Sequence, residues 1–297
     1  MTTLGTLPLK SNEPAIPKNA MKQTKNYLSI AALVAVGALT IACTDLKNEI
    51  SGQDGNDGVV TLTVPLSLDD TPGTRALDAA GHKTFAQNDQ IAVFYKDADG
   101  NTQKAVSKGL NESDISTDGK KATFHLVTKS PKTDGPVRLI YPAAMAKVII
   151  SAVSEIDDGN TIDYAALNAQ DGTLASLAAE LDLCTYDGIY SDLDVSDSDK
   201  LPKLTNRLAI LACTLLDDFN EINSSLVEMT ISTGTDTYVV SRTAAPGPIY
   251  VAIRPIVSAN IEVTATNAIH SYTKSLTGKT YAAGNGYPVT WRMTKVQ

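Results

Sequence analysis

Histidine and cysteine are scarce, three of each in 297 residues, and tryptophan occurs once. That leaves little material for a metal site and argues against most hydrolases and redox enzymes. Aromatic residues make up only 5% of the chain, a thin supply for a sugar-binding face, which usually presents several exposed rings. Basic residues are in the minority too, 25 Lys and Arg against 33 Asp and Glu, for a net charge of −8. A chain so balanced carries no electrostatic footprint for nucleic acid or for an anionic membrane surface. No HExxH, GxSxG or phosphate-cradling GxxxxGKS/T occurs in it. The expectation is a protein that is not an enzyme and needs neither metal nor cofactor.

What is present is apolar residues, 43% of the total, enough for a sizeable core over a length suited to roughly two domains. The first apolar run sets the compartment. From Met21 the chain reads MKQTKNYLSIAALVAVGALTIAC, with Lys22 and Lys25 ahead of an uncharged stretch from Leu28 to Ala42. About fifteen residues fall short of the ~20 that span a bilayer, so the run reads as a cleaved signal peptide. It ends Thr40-Ile-Ala-Cys43, which resembles the lipobox of bacterial lipoproteins, where the cysteine is diacylated. The usual leucine stands three before the cysteine; here that place is Thr40 and Leu39 lies one further back. The alternative is an ordinary signal peptide followed by an incidental cysteine. Two acyl chains on Cys43 would give stable anchoring. Residues 1–20, with Pro8, Pro14 and Pro17, do not fit a signal peptide, so Met21 is the expected start and 1–42 fall outside the fold.

Residues 43–58 are polar, acidic and glycine-rich, and read as a tether. Alternation follows. Val60, Leu62, Val64, Leu66 and Leu68 share one face of a strand, with Thr61, Thr63, Pro65 and Ser67 on the other. Pro65 gives no N–H, so this strand belongs at an edge or has one side unpaired. Further short strands carry Ile91/Val93/Tyr95, Ala122/Phe124/Leu126, Val137/Leu139/Tyr141, Leu208/Ile210, Val227/Met229/Ile231, Tyr238/Val240, Ile249/Val251/Ile253, Ile261/Val263/Ala265 and, last, Val289/Trp291/Met293. Gly, Pro, Asn and Asp break them at the spacing of β-sandwiches. One exception is a short amphipathic helix carrying Leu174, Leu177, Ala178 and Leu181. The fold class is all-β with a minor helix. Domain boundaries are expected at 59–199 and 200–297.

Candidate sites are few. Asp97 and Asp99 imitate a calcium loop, but glycine follows at the fourth position rather than the sixth, so a β-turn is the better reading. Asp192, Asp194, Asp197 and Asp199 could collect a calcium ion, though an acidic solvated linker explains them. His125 alternates with Phe124 and is expected to face solvent. Cys184 and Cys213 could form one bridge; a buried free thiol is the commoner state of a cysteine in an apolar run such as 208–216. Asp69-Asp-Thr-Pro-Gly-Thr-Arg75-Ala76 is a cluster of turn formers, an exposed loop of the kind that proteases cut. Arg242 also lies beside a loop, so composition alone does not single out Arg75.

Order along the chain does more. The lipobox-like start, the alternating first strand, Thr74-Arg75 ahead of Phe85-Ala-Gln-Asn-Asp-Gln-Ile-Ala-Val-Phe94, and Arg138-Leu-Ile-Tyr-Pro142 are followed by Asp171-Gly-Thr-Leu-Ala-Ser-Leu177 and Asn206-Arg-Leu-Ala-Ile-Leu211. The ending has Gly278-Lys-Thr-Tyr281 and Tyr287-Pro-Val-Thr-Trp291. Over residues 43–297 this series resembles the Bacteroidales fimbrillin family. The resemblance implies two transthyretin-like β-sandwich domains in tandem and a type V pilus subunit, exported to the outer membrane as an acylated precursor. A trypsin-like protease would cut after Arg75, leaving Ala76 as the new N-terminus. The subunit would then join other copies of itself or related pilins, head to tail, for adhesion.

Removing residues 43–75 would take away the lipid and five apolar side chains of the first strand. At ~1.5–3 kcal/mol each these amount to roughly 10 kcal/mol, comparable to a domain's whole stability. A donor strand from a neighbour would fill the vacated groove by strand addition, and because the contact does not close, the product is a filament. Tyr287, Val289, Trp291 and Met293 have the alternation to serve as donor; equally, they suit an ordinary last strand of their own domain. Two other roles are compatible with the sequence: an anchor or accessory subunit that keeps its lipid, and a monomeric glycan-binding surface lipoprotein.

Overall fold

The computed structural model of the protein describes residues 59–68, 84–147, 155–194, 200–218 and 220–296, all within one unit, Gln53–Gln297. In chain order the strands of the first half are β1 (Val59–Leu68), β2 (Ala92–Lys96), β3 (Thr102–Val106), β4 (Lys121–Lys129), β5 (Pro136–Tyr141), β6 (Ala169–Gln170), β7 (Cys184–Ile189) and β8 (Lys203–Asn206). The second half supplies β9 (Ala209–Leu216), β10 (Glu228–Ser232), β11 (Thr237–Ser241), β12 (Ile249–Ile253), β13 (Ile256–Thr266), β14 (Ser271–Tyr281), β15 (Gly286–Arg292) and β16 (Thr294–Val296). The fold is all-β with a minor helix, as the alternation indicated.

Strands through Asn206, β6 excepted, form one seven-stranded sheet in the order β3-β2-β5-β7-β8-β1-β4. From Ala209 on, the strands form a three-stranded sheet, β12-β9-β15, and a six-stranded sheet, β16-β14-β13-β10-β11-β6. The β2–β3 hairpin turns at Asp97–Asn101. There the Asp97 carboxylate accepts the N–H groups of Asp99 (3.1 Å) and Asn101 (2.8 Å), and Gly100 takes φ +84°. This is a side-chain-stabilised turn, the bland reading of that acidic pair.

Two hydrophobic cores share a middle layer. Ile91, Val93 and Tyr95 point with Val137, Leu139 and Tyr141 into a core completed by Leu62, Val64, Leu66 and Leu68 of β1 and Phe124 and Leu126 of β4. The intervening Ala92, Phe94 and Ile140 point the other way, into a second core with Leu211, Cys213, Val251, Met229 and Trp291. β2 and β5 are therefore buried on both faces, because period-2 alternation serves two cores at once. The short helix α2 begins at Leu174–Ser176 and widens into a π-helical turn over Leu177–Leu181, with Leu177 and Leu181 in the second core.

Some phases differ from expectation. In β9 the residues that alternate inward along its length are Leu211, Cys213 and Leu215, not the Leu208/Ile210 pair alone, because both faces of its first half are covered. Val227 precedes β10 and is 43% exposed, while Met229 and Ile231 are buried. The final strand is β16, which pairs with β14, and Met293 marks the crossing from one sheet to the other.

Candidate functional site: the first strand and its slot

β1 pairs antiparallel with β4 from Val59↔Lys129 to Ser67↔Lys121. On its other side it meets β8 at only two positions, Ser67↔Lys203 and Leu68↔Leu204, running parallel. Among the described residues, 59–66, Pro65 among them, thus keep one side without a strand partner, which is what a missing N–H requires. The apolar face behaves as its spacing indicated: Val64 and Leu66 are fully buried, Leu68 and Leu62 nearly so, and Val60 is half-buried.

β4 does not depend on β1 alone. Its His125 carbonyl accepts from Lys108 N–H (3.0 Å), and its Lys129 N–H donates to the Tyr95 hydroxyl (2.9 Å). Just beyond it, Ala98 N–H donates to Ser130 O (2.9 Å) and Lys132 N–H to Lys96 O (2.8 Å). Phe124 of β4 meets Phe85 edge-on at 5.5 Å. One wall of the slot is therefore tied to the β2–β3 hairpin, the other is β8, and the floor is the first core. The chain leaves the slot at Leu68, whose N–H bonds Lys120 O (3.0 Å), and returns at Phe85, whose N–H bonds Gly119 O (2.8 Å). Leu68 and Phe85 thus bond the carbonyls of two adjacent residues, Lys120 and Gly119.

Cys43, Arg75 and Ala76 lie outside the described residues, as do Asp197 and Asp199. Asp192 accepts from Ile189 N–H (3.2 Å) and the Tyr186 hydroxyl (3.4 Å), so it is engaged in its own turn. His125 is partly exposed, with Nε2 3.6 Å from Asp114 Oδ1. Arg242 folds back on its own loop, donating to Ala245 O (2.8 Å) and Thr243 O (3.3 Å), a geometry that holds its side chain away from an extended protease-bound form. Cys184 and Cys213 are buried free thiols; Cys184 donates to Asn206 Oδ1 (3.0 Å), and burial pushes the Cys213 thiol up. Among the described residues, no group of His, Cys, Asp and Glu could hold a metal ion, and no helix is long and apolar enough to cross a membrane.

In the isolated chain the tail carrying Tyr287, Val289, Trp291 and Met293 packs on its own fold. β15 runs parallel to β9 from Gly286↔Ile210 to Arg292↔Leu216, with Trp291 and Met293 buried and Tyr287 and Val289 half-buried.

A polar cluster that no local spacing announces joins the two cores. Arg138, on the β5 face turned toward the second core, donates through Nε to Asp187 and through Nη1 to Asp158 (2.7 Å) and the Thr161 hydroxyl (3.2 Å). Asp158 heads α1 (Asp158–Thr161) and also accepts from Arg207 Nη2 at 2.7 Å. Burial works to raise the Asp158 pKa, but the hydrogen bond and charge of Arg207, then the charge of Arg138, outweigh it and hold the carboxyl below the usual carboxylate range. A lowered native pKa contributes stability that is complete at neutral pH and lost as pH falls through it. Asp158→Asn should therefore flatten the acid limb of the melting-temperature profile below about pH 4. Thermal melts stepped through that range check this, and superimposable acid limbs would remove Asp158 from the account.

No family model and no curated protein matches the chain. Among solved structures, the chain is similar to a fimbrial assembly protein from Parabacteroides distasonis, at 13% identity and TM-score 0.41, over 78% of this chain and 90% of that one. It is similar to a candidate cell adhesion protein from Bacteroides ovatus, at 13% identity and TM-score 0.44, over 79% and 94%. A fimbrial protein from Bacteroides ovatus matches at 15% identity and TM-score 0.37, over 78% of this chain and 49% of its own. Likenesses of this order assign no family.

Proposed function

We propose that the chain is the precursor of a surface pilus subunit: anchored to the outer membrane through acylated Cys43, cut between Arg75 and Ala76 by a trypsin-like protease, and polymerised through the slot that β1 occupies. The observation that carries this reading is the placement of β1. Its apolar face seals a core, its outer edge is largely without a strand partner, and the walls of its slot have attachments of their own. On this reading a cut after Arg75 would free β1 from the covalent chain, while Phe85 keeps its own bond to the Gly119 carbonyl. The emptied slot would expose apolar floor and unpaired backbone groups along β4, the condition for strand addition from a neighbouring copy. The two cores correspond on this reading to two tandem sandwiches. Adhesion at the cell surface is the role such a filament serves.

Trypsin-like digestion of the purified precursor tests this. Expected are detergent-stable ladders of subunits whose N-terminus is Ala76. A monomer that persists after the cut, or wholesale degradation, would count against it. A lipid-retaining anchor subunit would instead keep an acylated Cys43 and an intact Arg75–Ala76 bond on the cell, which N-terminal sequencing of surface-sheared material distinguishes.

A further inference from the structure

β1 is held unequally on its two sides. Against β4 its ladder runs from Val59 to Ser67, while against β8 the pairs are Ser67↔Lys203 and Leu68↔Leu204. The direction of the backbone bonds shows why the second ladder is so short. Leu68 N–H donates to Lys120 O, on the β4 side, and Ser67 N–H donates to Pro202 O, on the β8 side (3.0 and 3.1 Å). Successive N–H groups of a strand point to opposite sides, so the nitrogens of Val64 and Leu66 face β4. Those of Thr63 and Pro65 face the β8 side.

In a parallel ladder the donors come from the two strands in turn. Counting back from the bond of Ser67 N–H to Pro202 O, the next would run from the nitrogen of residue 202 to Pro65 O. The one after it would run from the nitrogen of residue 65 to Lys200 O. Both positions are proline, and neither N–H exists. Two consecutive bonds are lost, one from each strand, at the place where the pairing ends. Packing does not demand the proline in β1. Pro65 is half-buried on the outer face, in line with the exposed Thr61 and Thr63, where a threonine would also fit.

We infer that Pro65 and Pro202 form a matched ladder stop, which leaves β1 clipped to β8 by its last two residues and makes the slot prefer a donor strand with an N–H at the Pro65 position. This rests on the strand exchange proposed above and adds a rule for the partner. The donor is an extended, alternating segment whose residue three places before the one filling the Leu68 position is not proline. Such a strand can donate to Lys200 O, a bond that β1 is unable to make. One net backbone bond is worth about fivefold in affinity, so exchange would run toward the donor.

Hydrogen exchange on the uncut chain tests the stop itself and needs neither cleavage nor assembly. Pro65→Thr supplies one donor, and Pro65→Thr combined with Pro202→Thr supplies both. The new amides should be protected. The Ser67 amide should exchange about fivefold more slowly in the single variant and about thirtyfold more slowly in the double one. Pro65→Ala, which adds the same N–H without a branched side chain, should match the single variant. New amides that exchange as in an unstructured peptide, or an unchanged Ser67 amide in a folded variant, would overturn the stop. Competition in trypsin-cut material tests the preference. A labelled peptide of residues 59–68 carrying Pro65→Thr should enter the slot about fivefold better than the parent peptide, and equal entry would overturn the rule for the donor. Failure of both peptides to enter would overturn strand exchange instead, and the amides of the uncut variants would still decide the stop.

Discussion

A chain shortened to begin at Ala76 should not stand as a stable monomer, and a peptide spanning residues 59–68, added separately, should restore it. The four β1 side chains that are buried, Leu62, Val64, Leu66 and Leu68, contribute ~1.5–3 kcal/mol each, roughly 6–12 kcal/mol in all. That is of the order of a domain's entire stability. Among the described residues β1 is also the only strand that pairs with β4 in the seven-stranded sheet, so its loss strips the ladder from Val59↔Lys129 to Ser67↔Lys121. Near-ultraviolet dichroism and urea titration, with and without the peptide, measure both halves of the expectation. Restoration requires the slot to keep its shape while empty, and the bonds from Lys108, Tyr95, Ala98 and Lys96 to β4 and its exit are what would keep it. If the shortened chain melts as sharply and at the same temperature as the full one, β1 is ornamental and the assembly scheme fails with it. If the shortened chain unfolds and the peptide does nothing, β1 is part of the folding core and not a replaceable strand.

β1 could be read from the sequence because one of its faces is wet: Thr61 and Thr63 alternate with Leu62 and Val64, and only a half-buried strand leaves that trace. The helix at Leu174–Leu181 left a trace for the same reason. β2 shows what such reasoning misses. Its Ile91/Val93/Tyr95 phase was visible, but Ala92 and Phe94 are buried too, in the other core, and a run buried on both faces carries no period to say so. β14 was silent for the opposite cause, since of its eleven residues only Tyr272 and Tyr281 are buried and its SYTKSLTGKTY reads as polar loop. The Arg138–Asp158–Arg207 cluster was beyond reach altogether. Asp158 bonds partners 20 and 49 residues away, and no local spacing encodes a contact that only the packing of two cores creates.

The tail offers the sharpest separation between its two readings. Trp291→Ala should lower the stability of the uncut chain by about 3–5 kcal/mol, the cost of truncating a large buried aromatic. Trp291 is 5% exposed, β15 is registered against β9 for seven residues, Met293 N–H donates to Leu216 O at 2.7 Å, and β16 then closes onto β14. A tail so held is not free to leave, so a donor role for Tyr287–Met293 demands that a neighbour's slot return more than the tail gives up. Two large side chains, Trp291 and Met293, are fully committed at home, whereas the slot vacated by β1 accepts four. Transfer would also forfeit the part-burial of Tyr287 and Val289 and the seven-residue pairing with β9, so a donor role requires the neighbour's slot to return all of these. Urea denaturation of the uncut variant reads the first effect, and a loss below about 1 kcal/mol would mean the tail is loosely held. Ladder formation after digestion reads the second: the variant should fail to polymerise if Trp291 is an anchor in the neighbour's slot. If its ladders match those of the parent chain while its stability falls as expected, the tail is simply the last strand of its own fold and the donor lies elsewhere.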